Sequence, residues 1–189
     1  MYTVSDLRKG LKLQLDGEPW IVTEFDFLKP GKGQAIYRCK LKNMITGSTL
    51  DRSWRSNERF DVPDLREREF TYLYADGNQC VFSDNETYEE IRLGANVLAR
   101  QIPFLVENSV CTILFFNDRA VEVTLPVFIE KEIVHTEPAV RGDTATNVTK
   151  PAKIDNGYEI QVPLFINQGD IVRIDTRTGQ YADRLKKKA

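Results

Sequence analysis

Short runs of alternating apolar and polar residues, separated by turn pairs, limit what this chain can fold into. The turn pairs between such runs are Asp16-Gly17, Thr46-Gly47, Asp76-Gly77, Asn117-Asp118 and Thr178-Gly179. A glycine in these pairs accepts the positive φ that a tight hairpin turn needs, and alternation with a period of two buries one face of each strand. The pattern therefore predicts an all-β protein built of antiparallel hairpins.

The predicted strands fall into three blocks, at residues 1–64, 65–126 and 127–189. The first block holds four alternating runs, at residues 11–15, 19–28, 36–43 and 49–54. This number of strands in about 60 residues is typical of a small SH3-like barrel. Each later block fits the five-stranded barrel of the oligonucleotide-binding (OB) fold. We therefore expect three small β-barrel domains with these boundaries.

Two segments depart from the strand pattern. Residues 86 to about 105 are the one substantial helical candidate, and Gly94 and Pro103 interrupt it. Residues 137–150 are polar and are predicted to form a loop. Helix content should therefore be low.

The segment between the second and third predicted strands is Lys29-Pro30-Gly31-Lys32-Gly33-Gln34-Ala35. Its glycines and proline are common in any solvated hairpin loop, but they also leave the ammonium of Lys32 sterically bare. A continuous strand at residues 18–28 would be about 30 Å long at about 3.3 Å per residue, and the radius of gyration of a 64-residue domain is about 11 Å. We therefore expect this loop to project and to offer Lys32 to a modifying enzyme or to a phosphate-rich partner.

The net charge of −2 hides an uneven distribution along the chain. The three blocks carry net charges of +2, −5 and +1, and residues 27–60 alone carry +6. A local basic patch can attract a polyanion even when the whole molecule is acidic. The same lysines and arginines would equally suit a solvated sheet face with its countercharges nearby in space.

Several functional classes find no support in the sequence. No apolar run approaches the roughly 18 residues that span a membrane, and residues 1–6 lack the layout of a signal peptide. The three cysteines, Cys39, Cys80 and Cys111, are widely spaced, which indicates neither a disulfide framework nor a zinc site. They fit small buried side chains of a protein in the reducing cytoplasm.

Catalytic arrangements are also missing from the sequence. His135 is the only histidine and lies in an alternating strand run, where a structural role is the common one. The pair Glu89-Glu90 fits an exposed face better than acid–base chemistry. Lys32 is followed by Gly33 and a strand, which does not match a phosphate-binding P-loop. We expect a binding protein without a catalytic residue, metal or cofactor.

The third block carries a run of spaced residues that closely resembles the signature of bacterial elongation factor P. These residues are Lys150, Ala152, Gly157, Ile160, Val162-Pro163, Ile166 and Gly169. Further similar motifs occur in the same order along the chain, at Leu11-Lys12, Asp16-Gly17-Glu18-Pro19, Tyr72-Leu73-Tyr74, Asp76-Gly77, Asn85-Glu86-Thr87 and Gly142-Asp143-Thr144-Ala145. The resemblance covers the whole chain.

The resemblance implies a KOW/SH3-like first domain and two OB domains, arranged in an L shape like that of transfer RNA. It implies a monomeric cytoplasmic translation factor that binds both ribosomal subunits between the peptidyl and exit sites. Such factors promote peptide-bond formation at stalled polyproline sequences. They do so by holding the substrates in reactive geometry rather than by acid–base chemistry.

The resemblance also implies roles for particular residues. Lys32 stands where the family carries a modification, which for a lysine tip is a β-lysyl group, with hydroxylation, added by a lysine-modifying enzyme. The arm would bring Lys32 to the acceptor end of the peptidyl-tRNA, and Lys29, Lys40 and Lys42 would contact RNA phosphates. Gly142, Asp143 and Thr144 lie in the loop that approaches the exit-site mRNA codon, although Asn147-Val148-Thr149 replaces a later glycine pair of that loop. Tyr181 and Arg184 would face tRNA or the small subunit.

Four alternatives stay open on the sequence alone. The related elongation factor P-like protein is disfavoured by Gly142-Asp143-Thr144-Ala145 and by the Pro30-Gly31-Lys32-Gly33 tip. A two-domain, hypusine-type initiation factor is disfavoured by the third block. A general single-strand RNA-binding protein would use stacking aromatics on a basic barrel face, which the −5 charge of the middle block opposes. An enzyme is the least supported alternative.

Overall fold

The computed structural model describes residues 1–139 and 148–186, and nearly all of its regular structure is β-strand. The first six strands are β1 (Tyr2–Thr3), β2 (Lys12–Leu15), β3 (Glu18–Leu28), β4 (Ile36–Asn43), β5 (Thr49–Arg55) and β6 (Arg59–Phe60). Strands β2-β3-β4-β5 form an antiparallel sheet in that order, and β1 pairs with β6. The all-β prediction is confirmed.

Two further sheets of five strands follow. One has the order β11-β10-β7-β8-β9, and the other has the order β14-β13-β12-β15-β16. Their strands are β7 (Leu65–Asp76), β8 (Gln79–Asp84), β9 (Glu90–Gly94), β10 (Val110–Phe116), β11 (Arg119–Thr124), β12 (Phe128–Thr136), β13 (Thr149–Ile154), β14 (Glu159–Pro163), β15 (Ile171–Asp175) and β16 (Gln180–Lys186).

The described residues pack into two compact units. The first comprises Met1–Arg68 with Ile113–Glu122, and the second comprises Glu69–Thr112 with the described residues from Val123 onward. The three-domain division at residues 64 and 126 stays a prediction.

The first unit has a hydrophobic core on one face of its four-stranded sheet. Its buried members are Val4, Leu7, Leu11, Leu13, Val22, Cys39, Leu41, Trp54 and Phe60. Complete burial of an aliphatic side chain of this size contributes about 1.5–3 kcal/mol. The core side chains alternate along β4, where Cys39 and Leu41 are buried and Arg38 and Lys42 are exposed. This alternation is what the sequence pattern predicted.

The turn at residues 43–48 closes the end of this sheet where β3 begins and β4 ends. The side chain of Asn43 is buried, and its Nδ2 donates a hydrogen bond to Glu18 Oε2 at 2.7 Å. Its Oδ1 accepts hydrogen bonds from the backbone N–H groups of Ile45 and Thr46 at 2.8 and 3.0 Å. The opposite end of the β3–β4 hairpin therefore projects from a firmly held base.

The helix predicted at residues 86 to 105 is wrong for most of its length. Residues Glu90–Gly94 form strand β9, which pairs with β8 from Ser83↔Glu90 to Gln79↔Gly94. Only Ala95–Leu98 is α-helical, and a 3₁₀ turn spans Ile102–Phe104. Pairing with β8 satisfies the backbone of this segment, so tertiary context overrode a weak helical pattern.

The second unit contains hydrogen bonds that link the 3₁₀ turn to the last sheet. Lys131 is buried, and its Nζ donates to the carbonyl of Leu105 at 3.3 Å and to both carboxylate oxygens of Asp155 at 3.1 Å. Asn156 donates to the carbonyl of Pro103 at 2.6 Å. A buried ammonium needs such partners because an unpaired charge in the interior is strongly unfavourable.

Candidate functional site

The hairpin of β3 and β4 extends well beyond the core of the first unit. Its antiparallel ladder runs from Trp20↔Asn43 to Leu28↔Ile36. Val22 is the last buried residue of β3, and all five residues from Glu24 to Leu28 are exposed. At about 3.3 Å per residue they extend the strand by roughly 16 Å. We call residues 24–40, which include the loop at residues 29–35, the arm.

A β-bulge at Thr23 sets which side chains share a face of the arm. Val22 pairs with Leu41 and Glu24 pairs with Lys40, so Thr23 is an additional residue in β3. Its hydroxyl donates a hydrogen bond to the carbonyl of Lys40 at 3.0 Å. Such an extra residue shifts the side-chain alternation by one position.

The tip of the arm is a seven-residue loop, residues 29–35, in which Lys29 and Lys32 are exposed. Gly33 has a φ of +135°, a conformation that L-residues with a side chain rarely adopt. Within the described parts of the chain, Lys32 has no hydrogen bond or ion pair. The structure therefore presents Lys32 as a free ammonium at the end of a paired two-strand support.

The outer face of the arm is electrostatically mixed. Lys40 Nζ lies 3.2 Å from Glu24 Oε1, and register places Asp26 opposite Arg38 and Asp51 opposite Lys40. The net charge of +6 counted for residues 27–60 does not include Glu24 and Asp26, which lie just before that segment. The outer face of the arm is therefore less positive than this count indicated. Lys42 is exposed on the same strand and its side chain approaches Gly47.

The inner face of the arm is aromatic. Register places Phe25 opposite Cys39 and Phe27 opposite Tyr37, and Cys39 and Tyr37 pack on the core of the unit. The Phe27 and Tyr37 ring centroids are 5.0 Å apart, and those of Phe25 and Tyr37 are 6.5 Å apart. This aromatic face was not predicted from the sequence. The signal was Phe25-x-Phe27 in a strand expected to run past its core.

Cys39 lies beneath this aromatic face and is almost completely buried. Burial raises the pKa of its thiol to about 11, because a thiolate there would lose its hydration. The thiol is therefore protonated near neutral pH and is a poor nucleophile.

The second predicted group, Tyr181 and Arg184, lies on β16. A register shift between the pairs Arg173↔Asp183 and Ile174↔Tyr181 leaves Ala182 as an extra residue. The two side chains are three residues apart, yet this bulge places them on one face of the sheet. The pKa of Tyr181 is raised, first by burial and then by the nearby carboxylate of Asp183.

Arg184 is held from two sides. Its Nη1 lies 3.7 Å from Oδ2 of Asp170, whose side chain is fully buried, and its guanidinium carbon lies 5.0 Å from the centroid of the Phe165 ring. Asp170 Oδ2 also accepts a hydrogen bond from the backbone N–H of Asn167 at 2.9 Å. Arg184 was predicted from the sequence, but Asp170 and Phe165, which fix its orientation, were not.

The third predicted group, Gly142, Asp143 and Thr144, lies outside the described residues. The strands that flank it are tied together by two side chains. Lys150 is buried and its Nζ donates to the carbonyl of Glu137 at 2.6 Å, and the Thr136 hydroxyl donates to the carbonyl of Pro151 at 2.9 Å.

In residues 1–139 and 148–186, no group of three or more histidine, cysteine or carboxylate side chains is arranged to hold a metal ion. Over the same residues, no helix is long and apolar enough to cross a membrane.

Comparison with protein families finds three matches that follow one another along the chain. Residues 3–60 match the elongation factor P (EF-P) KOW-like domain, residues 65–123 match the elongation factor P (EF-P) OB domain, and residues 129–184 match the C-terminal domain of elongation factor P. These matches support the predicted KOW/SH3-like and OB folds.

Full-length relatives agree with the domain matches. The chain is 47% identical to "Elongation factor P" of Desulfotalea psychrophila, over 98% of this chain and 100% of that protein. It is 48% identical to "Elongation factor P" of Desulfosudis oleivorans, over 99% of this chain and 100% of that protein. Among solved structures, eukaryotic translation initiation factor 5A from Methanococcus jannaschii aligns with a TM-score of 0.50 at 21% identity, covering 65% of this chain and 94% of that one. This last likeness concerns the fold alone.

Proposed function

Since this chain belongs to the elongation factor P family of translation elongation factors, we propose that it relieves ribosomes stalled on consecutive prolines. In this proposal it binds the ribosome between the peptidyl and exit sites, as a monomer in the cytoplasm. Domains at residues 1–64, 65–126 and 127–189 contact both ribosomal subunits, the peptidyl-tRNA and the exit-site mRNA codon.

The observation that carries this proposal is the exposure of Lys32 at the end of the arm. A free ammonium on a paired two-strand support can enter a narrow site and meet the acceptor end of the peptidyl-tRNA. Proline is a poor peptidyl donor and acceptor, so holding the two substrates in reactive geometry lowers the barrier without any proton transfer. No catalytic side chain is required for such a mechanism.

Modification of Lys32 would extend this reach. Acylation by β-lysine turns Nζ into an amide nitrogen and adds a chain with two amino groups further out. A lysine-modifying enzyme would need access to Nζ, which the exposed loop gives. Lysine side chains bind phosphates as point charges, so the extended group would hold RNA backbone without reading sequence.

The remaining proposed residues would position the factor. Lys29 is the first residue of the loop at the tip of the arm. Lys40 and Lys42 lie on the outer face of strand β4. The ammonium of Lys40 is paired with Glu24. To contact a phosphate, it must either leave Glu24 or bind the carboxylate and the phosphate at the same time. Arg184 is held in place before it meets RNA, and Tyr181 lies beside it. We assign Gly142, Asp143 and Thr144 to the mRNA-facing loop.

The deciding experiment is the rate of tri-proline peptide synthesis in a reconstituted translation system, with and without this protein. A message of equal length without proline is the control. Selective acceleration of the proline message supports the proposal. If unmodified protein and protein purified with its cellular modification both leave the rate unchanged, the proposal fails, and the elongation factor P-like or general RNA-binding alternatives take its place.

A further inference from the structure

The aromatic side chains of the arm occupy a surface that the proposed role of Lys32 does not use. Phe25, Phe27 and Tyr37 form what we call the aromatic platform. Phe25 is 37% exposed and Phe27 is 45% exposed, which is high for phenylalanines on the face of a sheet that also forms the core. The platform is anchored because Tyr37 packs on the core cluster of the first unit.

We propose that the aromatic platform binds single-stranded RNA by stacking its rings on unpaired bases. The proposal rests on the proposed function, because the strand it would take is the unpaired acceptor end of the tRNA that the arm approaches. Base–aromatic stacking tolerates any sequence, because every base has a π-face. The platform would thus grip the strand independently of its sequence, while Lys32 holds its backbone.

The ring geometry suits this role. Tyr37 lies directly opposite Phe27 and diagonally across from Phe25, with ring-centroid distances of 5.0 Å to Phe27 and 6.5 Å to Phe25. The Phe25 and Tyr37 planes are inclined by only 31°, and those of Phe27 and Tyr37 by 53°. Mutual contact restricts each ring, so less side-chain entropy is lost when a base stacks on it.

The charges around the platform favour an anionic occupant. Register places Arg52 opposite Cys39, on the platform face, and within the described residues Arg52 forms no ion pair. The three carboxylates of the arm and its neighbouring strand, Glu24, Asp26 and Asp51, alternate onto the opposite face. An exposed apolar face bordered by a free guanidinium and lacking carboxylates is complementary to nucleobases joined by phosphates.

The position of the platform relative to the tip agrees with one continuous strand of RNA. The ladder ends at Leu28↔Ile36, one residue beyond Phe27, and the loop that carries Lys32 begins at Lys29. A strand that stacks on Phe25 and Phe27 therefore leads toward the loop. This arrangement distinguishes the platform from a general apolar patch elsewhere on the surface.

The test is a titration of the isotope-labelled full-length chain with a short single-stranded oligoribonucleotide, followed by NMR. A matched oligonucleotide without bases is the second ligand. We expect ring signals of Phe25, Phe27 and Tyr37 to shift with the first ligand at millimolar concentration, and to shift several-fold less with the abasic one. Equal shifts with both ligands, or none at these rings, would overturn the proposal.

Variants separate stacking from simple packing of the arm. Phe27→Leu keeps an apolar side chain but removes the ring, and we expect it to weaken oligonucleotide binding about ten-fold. Phe27→Trp should restore or exceed the original affinity. Leu28→Ala is the matched control, because Leu28 is 38% exposed on the same strand but on the opposite face, and it should bind normally. Loss of binding in Leu28→Ala equal to that in Phe27→Leu would show a structural effect only.

The same variants distinguish this proposal from the proposed function. If the chain accelerates tri-proline synthesis and Phe27→Leu is as active as the original, the platform fails while the function stands. If the chain has no effect on tri-proline synthesis but the rings bind RNA as expected, the platform stands as an RNA site and the polyproline role fails. Shifts of these rings that depend on protein concentration alone would instead identify a second copy as the occupant and overturn the RNA assignment.

Discussion

The arm and the Arg184 cluster both present a cation to a partner, and they do so in opposite ways. Lys32 stands on a loop of seven residues with no partner in the described part of the chain. Arg184 is fixed between a buried carboxylate and an aromatic ring. One cation is available and unrestrained, and the other is oriented in advance.

This difference indicates what each region can tolerate. A side chain without structural contacts can be modified or replaced with little effect on folding, because its interactions form only with the partner. A side chain that is part of a buried network cannot change without affecting the fold around it. Function and stability should therefore separate cleanly at Lys32 and be coupled at Arg184.

The largest expected effect is at Lys32. Lys32→Ala should abolish acceleration of tri-proline synthesis, because the group that reaches the acceptor end is removed. The free energy of unfolding should change by less than about 0.5 kcal/mol, because an exposed tip contributes little to stability. The rate of tri-proline peptide synthesis checks the loss of activity, and denaturant unfolding of the same preparation checks the unchanged stability.

Lys9→Ala is the matched control for this prediction, since Lys9 is an exposed lysine of the first unit that lies outside the arm and has no proposed RNA contact. It should retain most of the acceleration. Normal tri-proline synthesis with Lys32→Ala would show that the assignment of the tip is wrong.

Asp170→Ala should have the next largest effect, and here the effect is on stability. The substitution leaves the Asn167 N–H without its acceptor and removes the carboxylate that faces Arg184. We expect a loss of about 2–4 kcal/mol in the free energy of unfolding. Chemical denaturation followed by circular dichroism measures it. If the free energy of unfolding fell by less than about 0.5 kcal/mol, the Arg184 cluster would be no more coupled to stability than Lys32 is.

Alkaline pH should weaken the first unit through Cys39. The pKa of this thiol is about 11 in the folded protein, against 9.0 for a fully hydrated cysteine, so the unfolded chain loses the proton first as pH rises. The stabilising contribution is complete below about pH 9 and declines as pH rises to about 11, by about 2–3 kcal/mol in total.

Both tryptophans, Trp20 and Trp54, lie in the first unit, so denaturant unfolding followed by their fluorescence reports this unit. Cys39→Ala should have lower stability at pH 8 and a flatter decline between pH 9 and pH 11. An unchanged decline in the variant would assign the alkaline effect to other groups.

Arg184→Gln should destabilise the protein less than Asp170→Ala does. It removes a cation–π contact and a partly exposed ion pair, which together contribute about 0.5–1.5 kcal/mol. Its effect on ribosome affinity should exceed that of Arg177→Gln, because Arg177 is an exposed arginine that pairs with Asp175 two residues away. Equilibrium binding to ribosomes at two salt concentrations compares the variants. Equal affinities for the two would remove Arg184 from the proposed contacts.

The sequence predicted hairpins well because their signals are local. Asp16-Gly17 and Asn117-Asp118 have positive φ at both residues, as a two-residue hairpin turn requires. The bounds of β4 agree with residues 36–43, since alternation and the glycine-containing turns on either side define them.

The errors arose where pairing with a distant strand decides the structure. Residues 90–94 became a strand only because β8 lies beside them. Strand β13 was not predicted, and its first two residues, Thr149 and Lys150, fall in the segment that was expected to be a loop at residues 137–150. The strand also contains Pro151, a residue type that is unfavourable inside a sheet. In the structure the carbonyl of Pro151 faces β12, where the ladder ends at Thr136↔Ala152, so its missing N–H falls at the end of the ladder. Neither neighbour is visible in the local sequence.

The candidate site residues were likewise predictable where their signal is local and not predictable where it depends on a distant strand. Lys32 could be named from its loop, because glycine and proline act on their immediate neighbours. The buried Asp170 and the ring of Phe165 could not be connected to Arg184, because contacts across a sheet depend on register. The bulge at Ala182 is needed before Tyr181 and Arg184 share a face.

The extra residue at Thr23 determines which face of the arm carries the aromatic side chains and which carries the charged ones. If Thr23 paired in the ladder as an ordinary strand residue, the sequence would be unchanged, yet Phe25 and Phe27 would turn to the side now held by Glu24 and Asp26. Deleting Thr23 would instead leave both faces as they are, because Val22 and Glu24 already pair with the adjacent residues Leu41 and Lys40. Natural variation between Glu24 and Leu28 should therefore tolerate exchanges of residue type far more readily than the insertion or deletion of a single residue. One unpaired residue at the base of the arm thus decides which side chains share each of its faces.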